Sequence, residues 1–149
     1  MGASVFLSVL MLLMPQPAPT QATIIDTGST NRPGLTITVN PSGKAEIQPR
    51  DGETQKTSFD AHLCARLFEA LKAAGPLSAL PKVHCMKSVS FGSSLYVEFN
   101  GERSPDLNCP APADSKLAGL QKDVRALMDA AQPASRTRVR TFTTTIPHK

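Results

Sequence analysis

The chain has 149 residues, 40% of them hydrophobic and 19% charged, which sets one small domain. Its formal net charge is +4, but four of the 16 Lys and Arg lie after Gln132, where no acid stands, leaving twelve basic residues against 12 Asp and Glu. The body of the protein is therefore neutral, so the basic pI does not mean a basic binding face on the domain, and no nucleic-acid partner is expected.

Residues 1–22 read as a secretory leader. Val5–Met14, "VFLSVLMLLM", is too short an apolar run to span a bilayer and matches the length of a signal core. Thr20 and Ala22 stand at the −3 and −1 positions of a cleavage site. No Lys or Arg precedes the apolar run, and a membrane anchor is the alternative. The domain is then expected over 23–131, followed by a basic Thr- and Arg-rich tail over 132–149.

Ile24 and Ile25 form a first strand, placed at the edge of the sheet. Leu35, Ile37 and Val39 alternate with threonines, the period-two pattern of a half-buried strand. "NPSGK" supplies a turn, and Ala45 and Ile47 begin a return strand. Pro49–Lys56 is a polar loop. A helix follows, with Thr57 and Asp60 fitting a capping box and Cys64, Leu67, Phe68 and Leu71 lining one face. Gly75 and Pro76 end it.

"PLSALPKV" is a connector. Val89 and Phe91 alternate with serines and read as a strand. Leu95, Val97 and Phe99 form another, separated from the first by Gly92-Ser93-Ser94. Asn100-Gly101 marks a tight hairpin into a short further strand. "SPDLNCPAPA" is too Pro-rich for regular structure. The last helix spans about Asp114 to Ala131, with Leu117, Leu120, Val124, Leu127 and Met128 as its apolar stripe. Each half is thus strands followed by one amphipathic helix. This predicts a two-layer α+β domain, an antiparallel sheet of about four to five strands with both helices packed on one face. The tail "SRTRVRTFTTTIPHK" is either disordered or an added edge strand.

Three Cys in an exported chain permit one disulfide. Cys85–Cys109 is the expected pair, with Cys64 buried as a small hydrophobe; Cys64–Cys85 and Cys64–Cys109 remain open. Metal ligation is not expected. His62 and Cys64 point about 200° apart on a helix, and adjacent His84 and Cys85 make an awkward chelate. No nucleophile elbow, phosphate loop or dinucleotide fingerprint occurs, and no cofactor is expected.

Two loops draw chemical interest. Asp26-Thr27-Gly28-Ser29 resembles the active-site loop of retroviral-type aspartic proteases, which would make Asp26 catalytic. That chemistry needs a second carboxylate sharing the proton, and the loop stands too near the expected mature start; a turn between two strands is the preferred reading. Gly101–Pro110 is long, rigidified by Pro105 and Pro110 and clamped at Cys109. Ser104, Pro105, Asp106 and Leu107 are the expected contact residues of a binding loop, since a rigid loop loses little entropy on docking. The alternative is a crossover in which Ser104 and Asp106 make local turn hydrogen bonds. The tail arginines Arg136, Arg138 and Arg140 suit anionic envelope polymers.

The layout over Ile24–Ala131, with its "LSALP" connector and Gly-Glu hairpin tip, resembles the emfourin-type inhibitors of thermolysin-like metalloproteases. More closely, the chain looks like a class of small exported bacterial proteins of unknown function. Their early "Gly-Ser-Thr-Asn" turn corresponds here to Gly28–Asn31, and their "Ser-Pro-Asp-Leu-x-Cys" loop to Ser104–Cys109. The first resemblance implies a loop-presenting inhibitor; the second implies no activity. Together they lead to the expectation of a monomeric, exported, non-enzymatic binding or inhibitor module with a protein partner.

Overall fold

The computed structural model of the protein describes residues 20–88 and 90–132. Most of the expected leader, Val89 and the tail with Arg136, Arg138 and Arg140 lie outside the described residues. The elements in chain order are β1 (Ala22–Asp26), β2 (Leu35–Val39), β3 (Lys44–Pro49), β4 (Gln55–Ser58), α1 (Ala61–Ala74), a 3-10 turn (Leu77–Ala79), β5 (Leu95–Phe99), β6 (Glu102–Arg103) and α2 (Lys116–Ala131). The strands form one antiparallel sheet in the order β4-β3-β2-β1-β5-β6. The α+β architecture expected from the sequence is the one observed.

The register explains the core. Ile24 lies opposite Ile37 on one side and Val97 on the other, and Ile37 lies opposite Ile47. Because side chains alternate along a strand, these residues share one face with Ala22, Val39, Ala45, Leu95 and Phe99. The stripes of both helices complete a single buried cluster on that face. Phe68 of α1 meets Phe99 of β5 edge to face, with ring centroids 5.8 Å apart. Arg66 and Asp123 pair across the two helices at 3.4 Å. The opposite face carries Thr23, Thr36, Thr38, Glu46, Lys56, Tyr96 and Glu98, all exposed or half-buried.

Several local expectations change. β1 sits at the centre of the sheet rather than its edge, because it pairs with β2 on one side and with the distant β5 on the other. β1 begins at Ala22, a fully buried residue paired with Val39 and Phe99. Part of the expected polar loop is β4, an edge strand exposed along its whole length. Thr57 belongs to that strand, so the cap of α1 is Asp60 alone, whose Oδ1 accepts from the Leu63 amide at 3.0 Å. α2 starts two residues later than expected: Asp114 has a left-handed backbone (φ 55°), and Ser115 caps the helix by accepting from the Ala118 amide.

The expected strand at Val89–Phe91 does not form at its described end. Ser90 and Phe91 lie in a turn, and the Gly92 amide closes onto the Ser88 carbonyl at 2.7 Å. Both flanks of β5 are already occupied by β1 and β6, so no place beside it remains.

A disulfide joins Cys85 to Cys109, whose Cα atoms stand 5.4 Å apart. Cys64 is the free thiol, buried under α1; burial, and secondarily the nearby Asp60 charge, push its pKa up. Closing the 24-residue separation stabilises the domain by about 3.5 kcal/mol on the chain-entropy account. Replacing both partners (Cys85→Ser with Cys109→Ser) should lower unfolding free energy by about that amount in urea melts. In the native protein Cys64 should resist thiol reagents and become reactive only on unfolding; rapid labelling under native conditions would contradict its burial.

Candidate functional site

Pro105 has no amide hydrogen, so the chain beyond β6 cannot continue a regular ladder along β5. Side chains complete it instead. The Ser104 amide donates to the Val97 carbonyl at 2.9 Å, and the Val97 amide donates back to Ser104 Oγ at 3.0 Å. The Leu107 amide donates to the Leu95 carbonyl at 2.7 Å, and the Leu95 amide donates to Asp106 Oδ1 at 3.1 Å. Asp106 Oδ1 also accepts from the Asn108 amide at 2.9 Å, closing an Asx turn. Helix α2 holds the far side, with Arg125 donating to the Leu107 carbonyl and Gln121 to the Cys109 carbonyl.

The expected contact residues therefore divide. Ser104 is 4% exposed and Leu107 0%, so neither offers its side chain to a partner. Pro105 and Asp106 keep partial exposure, but Asp106 directs both oxygens inward. Ser104–Cys109 is an anchor, and it anchors something else: the irregular segment between the 3-10 turn and β5. Lys87 Nζ donates to Asp106 Oδ2, to the Ser93 carbonyl at 2.8 Å and to Ser94 Oγ at 2.9 Å. Asn108 Nδ2 donates to the Ser93 carbonyl at 2.9 Å. Cys109 holds Cys85 covalently.

The other loop converges on the same segment. The Asp26 carboxylate, 5% exposed, accepts from the Gly28 amide at 2.8 Å and pairs with Arg32 at 2.6 Å. Gly28 adopts φ +68°, and a Cβ there would overlap Gly34 N and the Arg32 carbonyl, so only glycine fits. Ser29 and Arg32 bond backbone to backbone in both directions, closing a tight turn. From it Arg32 reaches Ser93 Oγ at 3.2 Å and Asn31 reaches the Ser90 carbonyl at 3.3 Å. The partners of Asp26 are thus a cation and an amide, where a proton-sharing pair would bring a second carboxylate.

Two loops, a disulfide and an ion pair fix Cys85, Lys87, Ser90, Ser93 and Ser94, yet the described residues of this stretch bury little. Met86 is 103% exposed and Phe91 76%, the two large apolar side chains left in water among the described residues. In the sequence Phe91 reads as part of a strand, and Met86 stands just past the connector without a pattern of its own. The available signal was Met86 standing next to a disulfide cysteine. Beside the segment lies a shallow recess of about 390 Å³, lined in part by Lys82, His84, Lys87, Tyr96 and Arg103. Lys87 and Arg103 already carry carboxylate partners, Asp106 and Glu98. No group of three or more His, Cys, Asp or Glu among the described residues is placed to hold a metal ion. No protein-family model matches the chain, and comparison with the curated proteins finds none similar to it.

Burial alone would raise the pKa of Asp106, but the hydrogen bonds from Lys87, Ser94 and the amides of Asn108 and Leu95 outweigh it and hold the carboxyl below the usual range. Its contribution to stability is therefore complete above the ordinary carboxylate pKa and is lost as pH falls through the lower folded-state value. Asp106→Asn should cost about 1–3 kcal/mol at neutral pH and flatten the acid limb of a stability-against-pH profile. Ser104→Ala strips the Val97 amide of its acceptor and should cost a similar amount, about 1–3 kcal/mol, with no change in that profile.

Proposed function

We propose that the protein is an exported, non-enzymatic binding module that presents Val83–Ser88 and Ser90–Ser94 to a protein partner. The observation that carries this reading is the exposure of Met86 and Phe91 on a stretch fixed by covalent and ionic restraints. A core does not need those restraints; a docking surface does, because a segment ordered in advance loses little entropy on binding. The leader-like apolar run Val5–Met14 and the disulfide support an oxidising, extracytoplasmic location. Among the described residues no helix is long and apolar enough to cross a membrane. In this reading the tail, through Arg136, Arg138 and Arg140, adds contact with anionic envelope polymers, and Asp26 with Arg32 is a structural pair.

Photo-crosslinking tests the docking surface. A benzophenone side chain at position 86 or 91 should give adducts with an extracytoplasmic protein, whereas one at the exposed Glu69 of α1 should not. Equal yields at all three positions, or adducts from position 69 alone, would refute it. The purified protein should leave casein intact at acid pH, and Asp26→Asn should lower stability without removing any hydrolytic activity.

A further inference from the structure

We infer that His84–Ser88 is a substrate-like inhibitory strand, and that its partner is an endopeptidase whose primary pocket takes an unbranched apolar side chain, filled here by Met86. The inference rests on the binding-module reading and adds the class of partner.

Residues 81–88 belong to no helix, strand or turn, and along Val83–Ser88 exposure alternates. Val83, Cys85 and Lys87 are half-buried, while His84, Met86 and Ser88 stand out, the period-two habit of an extended chain. Among the described residues, no backbone–backbone hydrogen bond involves residues 81–87. Among the described residues their carbonyls, and the amides of all but Pro81, have no backbone partner, which suits pairing with the strand by which a peptidase grips an extended substrate. One side chain dominates the exposed side, and it is apolar. Lys87 would attract a peptidase with an acidic pocket, but its ammonium is held by Asp106, Ser93 and Ser94. The selectivity therefore falls to Met86.

The restraints lie where an inhibitor needs them. Suppose the enzyme's nucleophile adds to the Met86 carbonyl carbon and the Met86–Lys87 C–N bond breaks, the nucleophile's proton passing to the Lys87 nitrogen. The acyl side stays attached through Cys85–Cys109, and the new amine stays in place through Lys87 and Asp106. The amine can return its proton and re-form the bond before water arrives, so cleavage is futile. The recess beside the segment is a weaker candidate, because two of its cations are already paired.

The test uses the oxidised full chain against a chymotrypsin-like and a trypsin-like serine endopeptidase, each assayed on a chromogenic peptide. The chymotrypsin-like enzyme should be inhibited with a constant on the order of 1 μM or tighter, and the other should not. Met86→Arg should reverse that preference, with about a 30-fold or larger loss towards the first enzyme. Met86 is fully exposed, so the variant should melt with the parent, which separates loss of contact from loss of fold. Inhibition of neither enzyme, selectivity unchanged by Met86→Arg, or turnover at Met86–Lys87 without inhibition would each overturn the inference. If neither enzyme is inhibited while crosslinks from positions 86 and 91 still trap a partner, the peptidase assignment falls and the docking surface stands.

Discussion

The Asp106 carboxylate holds the irregular half of the molecule in place. A carboxylate this withdrawn from water is costly unless its oxygens are satisfied, and here one accepts from the Leu95 and Asn108 amides while the other meets Lys87. Through the first it replaces a strand partner where proline interrupts the sheet. Through the second it fixes a segment with no secondary structure of its own. Neutralising the group would disturb the edge of the sheet and the exposed segment together, so the regular and irregular parts of the domain share one electrostatic support.

That sharing explains why two loops far apart in sequence act on the same place. Gly28–Asn31 and Ser104–Cys109 flank the β1–β5 pair, and both reach residues 87–94 from that position. Their side chains are used on the protein itself. Asp26 and Asp106, the two acids that attract chemical interest in the sequence, each face a cation, with one backbone amide beside it at Asp26 and two at Asp106. The surface they support is carried by neighbours with unremarkable sequence signatures.

Where hydrophobic alternation reflects burial on one face, the fold was legible from sequence. Leu35–Val39, Leu95–Phe99 and both helix stripes are observed where periodicity puts them. β4 escaped because both of its faces are wet, so it leaves no period-two signal. The alternation of Ser88–Phe91 misled for the converse reason: an apolar side chain turned to solvent, as Phe91 is, looks in sequence like one turned to a core. Ser104 and Leu107 were legible as a special loop but not as buried. Their burial depends on β5 lying alongside, a tertiary fact that proline content cannot convey. The Cys85–Cys109 pair was legible because strand-rich sequence lies between the two. The segment that best qualifies as a site was the least legible part, since exposure of one methionine is a property of the folded surface alone.

The central position of β1 also bears on how the chain acquires its structure. β2, β3, β4 and α1 are joined by short connections and can assemble locally, but β1 gains its second neighbour only when β5 arrives some seventy residues later. Until then the apolar face of Ile24, Ile37 and Ile47 lacks both β5 and α2. A chain delivered with its first residues leading would therefore remain open and malleable through most of its passage, and would close only when its last helix emerged. Long-range pairing at the heart of the sheet thus acts as a delay on compaction, whereas the contacts that align Cys85 with Cys109 are local to the 24-residue separation between them.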